Sequence, residues 1–166
     1  MILGPRRLAL IGAIAAVALT IIFYPLLVAT PFDPNAVLIQ LNNVRIASGG
    51  EAEQRLDLEV MFNLTNTSGY TLTTSKIEYE LFADGEPVGT DTISYENVPI
   101  NGRPALFSNS PPITIRDTFR LDYSDDRAEI FNRVLNSSEE ISWSVTGIAI
   151  IESGTTFQER PFSSEL

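Results

Sequence analysis

From Leu56 to Leu64 the chain alternates. Leu56, Leu58, Val60, Phe62 and Leu64 take the even positions, and Asp57, Glu59 and Asn63 the odd ones. Period two is the pattern of a strand with one face on a core and the other in water. Ile77-Glu78-Tyr79-Glu80-Leu81 repeats it, and in Ile113–Leu121 Ile113 and Ile115 alternate with Thr114 and Arg116. Val37–Ala47 and Ile141–Ile151 are further runs rich in β-branched residues. Gly147 interrupts the last of them, which predicts a bulge or a close backbone approach. Ser48-Gly49-Gly50, Thr67-Ser68-Gly69, Ala83-Asp84-Gly85-Glu86 and Asn101-Gly102 supply turns between runs. Asp125–Asn136 differs: Ala128, Phe131 and Leu135 recur at helical spacing, behind Ser124 or Asp125 as a cap. Six or more short strands, regular turns and one helix predict an all-β fold. The expected form is an antiparallel β-sandwich of the immunoglobulin or fibronectin III type with one short helix.

A second pattern precedes this one. Leu8–Ala29 is almost unbroken apolar sequence, with no charge between Arg7 and Asp33. As a helix it would reach about 33 Å, against a hydrocarbon core of roughly 30 Å. The expectation is therefore a single N-terminal transmembrane helix ahead of the sandwich. The run is longer than the apolar part of a cleaved signal peptide, and Val28-Ala29-Thr30 is a poor cleavage site. Arg6 and Arg7 before the run, with no basic residue just after it, orient the N-terminus to the cytoplasm. The division expected is a cytoplasmic 1–7, a helix over 8–30, a linker over 31–36 and a sandwich over 37–166. On that reading the protein is a single-pass cell-membrane protein with an extracytoplasmic domain, and the lipid bilayer is its first partner.

Composition narrows the chemistry. The net charge is −10; all 21 acidic residues follow the apolar run, and of the 11 basic ones only Arg6 and Arg7 precede it. So acidic a surface is a poor match for nucleic acid, and its plainer consequence is solubility. With no Cys there is no disulfide or thiolate chemistry, and with no His the commonest general base and transition-metal ligand is missing. Ser-His-Asp, Cys-His and His-based metal catalysis are excluded within this chain. No cofactor is expected.

The order of motifs resembles the water-stress and hypersensitive-response domain of group 2 late embryogenesis abundant proteins. It is carried by Leu58-Glu59-Val60-Met61-Phe62-Asn63-Leu64-Thr65-Asn66, then Ile77-Glu78-Tyr79-Glu80-Leu81-Phe82-Ala83-Asp84-Gly85, then Val88-Gly89. Val145-Thr146-Gly147-Ile148-Ala149-Ile150 and Pro161-Phe162 match the family's closing strands, so the likeness spans roughly residues 36–163. Where the family often has Asn-Pro-Asn or Asn-Pro-Tyr at its first turn, this chain has Asn66-Thr67-Ser68. The resemblance implies a β-sandwich with a helix, no enzymatic activity, and stress protection or binding. It supplies no catalytic residues, and membrane-anchored members are familiar in the family.

The remaining candidates are few. Asp122, Asp125 and Asp126 cluster before the helix, but their spacing matches no EF-hand loop and capping accounts for two of them. Adjacent Glu139 and Glu140 point apart on a strand, so they do not form an acid/base pair. Asn63, Asn66 and Asn136 head N-x-Ser/Thr sequons and are candidate glycosylation acceptors, with Asn66 and Asn136 expected to be best exposed. Ala9, Gly12, Ala13, Ala16 and Thr20 form a small-residue ridge suited to helix packing against other integral membrane subunits. Trp143 is expected in the core. The function expected is a non-enzymatic, membrane-anchored binding, structural or stress-protective module. The alternative is a non-catalytic accessory subunit of a membrane enzyme complex.

Overall fold

The computed structural model describes residues 5–28, 32–137, 140–154 and 156–166. Eight strands follow an N-terminal helix α1 (Pro5–Val28): β1 (Val37–Gly50), β2 (Arg55–Asn66), β3 (Leu72–Ala83), β4 (Glu86–Ser94), β5 (Ala105–Leu106), β6 (Ile113–Asp122), β7 (Trp143–Ser153) and β8 (Thr156–Glu165). A second helix, α2 (Ala128–Ser137), links β6 to β7. The strands form two antiparallel sheets, β1-β2-β6 and β4-β3-β7-β8, with short β5 added to β3. The all-β, two-sheet part of the expectation is what the structure shows.

The alternation read from the sequence is the alternation that builds the core. Leu56, Leu58, Val60, Phe62 and Leu64 of β2 face Ile77, Tyr79 and Leu81 of β3, and all are buried. Phe62 stands edge-on to Tyr79, ring centroids 5.0 Å apart, and to Phe162 of β8 at 6.2 Å. Trp143, Phe62 and Phe131 are the largest fully buried side chains, each contributing on the order of 2–3 kcal/mol of apolar burial. Helix α2 covers the end of the core with Ile130, Phe131 and Val134. Its predicted extent begins with a 3-10 turn over Asp125–Arg127, after Ser124.

Two turns follow the sequence closely. Asp84 and Gly85 both take positive φ, 52° and 81°, the left-handed pair that lets a two-residue hairpin twist with its strands. Asp84 also ties the hairpin to the chain before β7: its N–H donates to the Ser142 carbonyl at 2.9 Å, and its Oδ1 accepts from the Ser142 N–H at 3.0 Å. Ser48-Gly49-Gly50, in contrast, lies inside β1; the reversal to β2 comes later, over Glu51–Gln54.

The two sheets meet along β1 and β8, both edge strands. They share no backbone ladder, and side chains join them. Arg160 Nε donates to the Val37 carbonyl at 3.2 Å, Gln158 Nε2 to the Phe32 carbonyl at 3.1 Å, and the Leu41 N–H to Ser164 Oγ at 2.9 Å. Pro161 sits in β8, where an edge strand tolerates a missing donor.

The structure corrects the membrane-spanning expectation. Among the described residues no helix is long and apolar enough to cross a membrane. The transmembrane segment over 8–30, the single-pass cell-membrane localisation and the cytoplasmic/extracytoplasmic topology built on it therefore have no support in the structure. Arg6 and Arg7, whose charge oriented that topology, lie outside the residues with described side chains.

Candidate functional site

Strand pairing brings polar residues of distant sequence onto the outer face of the larger sheet. Thr92, Glu78, Ile148 and Pro161 form one row across β4, β3, β7 and β8; Thr90, Glu80, Thr146 and Ser163 form the next. The β4, β3 and β7 members of these rows line a shallow cavity of about 490 Å³. Lys76 Nζ answers the Glu78 carboxylate at 2.6 Å, and that hydrogen bond raises the Lys76 pKa. The face is hydroxyl-rich and acidic. The opposite sheet is ion-paired: Glu59 takes Arg45 at 2.5 Å and Arg116 at 3.7 Å, and Asp57 takes Arg55 at 3.2 Å and Arg120 at 3.9 Å. Asn63 continues this ladder, donating to Asn42 at 3.1 Å and accepting from Thr114 at 2.8 Å.

A carboxylate also faces inward. On β6, Asp117 lies between the buried residues Ile115 and Phe119, at the edge of its sheet. Tyr79 of the other sheet donates its hydroxyl to Asp117 Oδ2 at 2.8 Å. Burial pushes the Asp117 carboxyl up from the usual range and the neighbouring Asp91 charge adds to this, while the Tyr79 hydrogen bond works against it. Burial likewise raises Tyr79, and Tyr95 beside the cluster is raised by burial and by Asp117. An inward charge on an edge strand discourages pairing with another chain.

The sign of the pH effect follows from that shift. A carboxyl raised on folding holds its proton more tightly in the folded state, so stability is greatest below its unfolded range and falls as pH rises through the folded value. Asp117→Asn keeps an acceptor for Tyr79 and removes the charge. The variant is expected to be more stable than the parent by about 1 kcal/mol at pH 7. The gain should fade toward pH 4, and denaturant midpoints across pH 4–8 test it.

Asn66 holds one end of the sandwich together. It is 2% exposed. Its Nδ2 donates to the carbonyls of Tyr70 and Leu106, both at 2.7 Å, and its Oδ1 accepts from the Ser68 N–H at 2.9 Å and Ser68 Oγ at 2.7 Å. Every site on the amide is used, and the asparagine that would accept a glycan is buried, while Thr67 of the same sequon is exposed. Asn63 is half-buried mid-strand, and only Asn136, on α2, is exposed, its Nδ2 donating to the Asn132 carbonyl at 2.8 Å. Ser138 of that sequon lies outside the described residues.

The departure from Asn-Pro at the first turn has a structural reason. The Thr67 N–H donates to the Ala36 carbonyl at 2.9 Å, and Thr67 Oγ1 reaches the same oxygen at 2.9 Å. Proline at 67 would remove both donors. Thr67→Pro is expected to cost about 1 kcal/mol, read as a fall in the thermal midpoint.

The other predicted residues do not converge. Ser124 hydrogen-bonds to Asp126 and lowers its pKa, and among the described residues no three carboxylates gather where a metal could sit, Asp122 and Asp125 included. Glu139 lies outside the described residues, and Glu140 is exposed. Ala9, Gly12, Ala13, Ala16 and Thr20 are exposed, with Thr20 Oγ1 donating to the Ala16 carbonyl at 2.9 Å and nothing described within 4 Å of a Cβ placed on Gly12. Trp143 is in the core as expected, 1% exposed. Sequence reading missed Arg103. Its guanidinium meets Glu152 at 2.5 Å and the carbonyls of Val98 and Glu96 at 2.9 and 3.2 Å, fastening the loop between β4 and β5.

No family model matches the chain, and no curated protein matches it. Solved structures do. A protein from Archaeoglobus fulgidus is 16% identical, covering 76% of this chain and 94% of its own, with a TM-score of 0.45. A solution structure described as that of a late embryogenesis abundant protein is 14% identical, covering 97% of this chain and 83% of its own, with a TM-score of 0.43. A protein from Arabidopsis thaliana, solved in solution, is 12% identical over 77% of this chain and 78% of its own, with a TM-score of 0.52. At that identity the Arabidopsis likeness shows a shared two-sheet fold.

Proposed function

We propose that this chain is a non-enzymatic binding or structural module with a protective role under water stress, akin to the water-stress domains its motifs resemble. One observation carries the reading. The polar groups in the most unusual settings are spent on the fold: Asn66 on a turn, Asp117 on Tyr79, Arg103 on a loop. The acidic, hydroxyl-bearing sheet around Glu78, Glu80, Thr90 and Thr146 is left facing solvent, where such groups hold water and meet partners.

The test is a drying assay. A labile reporter enzyme dried with the full chain is expected to keep more activity than with an equal mass of an unrelated acidic protein. A chain carrying Glu78→Gln and Glu80→Gln should protect less, while circular dichroism shows it folded. Equal protection by the unrelated protein would sink the proposal.

A second reading, a non-catalytic accessory subunit of a larger assembly, draws on α1. Leu10, Ile14, Val17, Ile21 and Ile22 are each more than half exposed, and so large an apolar surface invites a covering partner. Native mass of the full chain, purified gently from its source, decides: a fixed-stoichiometry complex favours this reading, a lone chain removes it.

A further inference from the structure

The side of the sandwich away from the β1–β8 clasp is closed in another way. There the edge strands are β4 and β6. Residues directly opposite on paired strands share a face of the sheet, so the register settles which side chains look into the gap. Asp91 of β4 lies opposite Tyr79, and Ile93 opposite Ile77, which puts Asp91 on the inward face of β3 and β4. Asp117 of β6 lies opposite Val60 of β2, with Ile115 opposite Phe62 and Phe119 opposite Leu58 on either side. Each lip of the seam therefore carries an inward carboxylate. Tyr79 reaches across from β3 to the β6 lip, donating to Asp117 Oδ2 at 2.8 Å. One step along, Gly89 of β4 meets Phe119 of β6 so closely that a Cβ on the glycine would lie 3.1 Å from the ring.

Among the described residues no cation joins the two carboxylates. Arg116 and Arg120, on either side of Asp117 along β6, turn outward to Glu59 and Asp57. The titratable groups around Asp117 are Tyr79 from β3, Asp91 from β4 and Tyr95 from the segment after β4, and all of them are acids. An ionised Asp117 thus faces the Asp91 charge across a gap that water screens poorly, and the two repel. A neutral Asp117 ends that repulsion and still accepts from Tyr79. Opening the seam lets water reach the carboxyl, so the open form favours its charged state and the closed form its neutral one.

We propose that the β4–β6 seam is a pH-dependent mouth, closed while Asp117 carries a proton and opening on that side of the sandwich when the proton leaves. The β1–β8 clasp acts as its hinge, because the bonds made there by Gln158, Arg160 and Ser164 involve no carboxylate. One proton leaves per opening, so the open-to-closed ratio rises by at most about tenfold per pH unit. Opening uncovers Tyr79 and Phe119, each 3% exposed in the closed form. The device does not depend on the protective role.

Nuclear Overhauser contacts in the full chain read the seam directly, since Gly89 lies against the Phe119 ring. Contacts between Gly89 and Phe119 are expected at about pH 4 and should weaken steadily toward about pH 8. Those between Leu41 and Ser164, across the clasp, should hold over the same range. In Asp117→Asn, which is neutral at every pH, the Gly89–Phe119 contacts should persist to the top of the range. Asp91→Asn removes the repulsion alone, and its response to pH should be smaller than the parent's. Three results would overturn the proposal. One is a parent whose Gly89–Phe119 contacts are the same at both ends of the range. Another is an Asp117→Asn chain that loses them as the parent does. The third is a parallel loss of the Leu41–Ser164 contacts, which would make the change a loosening of the whole sandwich.

Discussion

Asn66→Ala is expected to lower stability by about 3 kcal/mol, seen as a fall of roughly 10 °C in the thermal midpoint. The substitution removes one small side chain and strands several partners. The carbonyls of Tyr70 and Leu106 lose their amide donor, and the Ser68 N–H and hydroxyl lose their acceptor. Of these bonds, the one to Leu106 is fully buried, so water cannot replace it without opening the end of the sandwich. Asn66→Asp separates the two halves of the network. It keeps the acceptor for Ser68 and turns the donor toward two carbonyls into an acceptor, so it should cost as much as alanine at neutral pH. If Asn66→Ala melted within about 2 °C of the parent, the turn would have to be held by something other than this amide.

Gly147→Ala is expected to be as damaging, about 3 kcal/mol. Gly147 pairs with Tyr79 on one side and Phe162 on the other, and its inward face is where Phe162 packs. A Cβ there would collide with the Glu78 carbonyl oxygen and come within 2.9 Å of two Phe162 ring carbons. The ring could turn away; the Glu78 carbonyl belongs to the β3 backbone, and moving it strains the β3–β7 ladder. Phe162→Leu in the alanine background should therefore recover only part of the loss. Full recovery would mean that the ring, and not the strand, sets the limit.

The same two positions show how far the sequence could be read. Gly147 stood out because it broke a β-branched run, and the close approach it implied is there. The interior of β2 was legible because five apolar residues hold the even positions, with Met61 the one apolar residue out of phase among them. β4 was not, because Glu86–Ser94 is polar and Gly-containing, and the bulge opposite Leu81 and Phe82 shifts its phase. Alternation missed β8 for a related reason, and only the family likeness of Pro161-Phe162 pointed to it: an edge strand can carry Gln158, Glu159, Arg160 and Pro161, leaving Phe162 alone to mark the core side. Asn66 was misjudged because turn asparagines are usually wet, and its two carbonyl partners come from Tyr70 and from Leu106, forty residues away. The inward Asp117 was equally invisible, since alternation alone would have placed an apolar residue there.

The clasp between β1 and β8 has a mechanical consequence. Tension arriving through α1 would enter the sandwich at Phe32 and Val37, where Gln158 and Arg160 grip the backbone carbonyls. Force would thus be handed to β8 at the point of entry and shared between both sheets, before the ladder of β1 with β2 began to bear it. The grip consists of side chains, each free to let go and rebind. The domain can therefore yield at this corner and recover while its core stays closed.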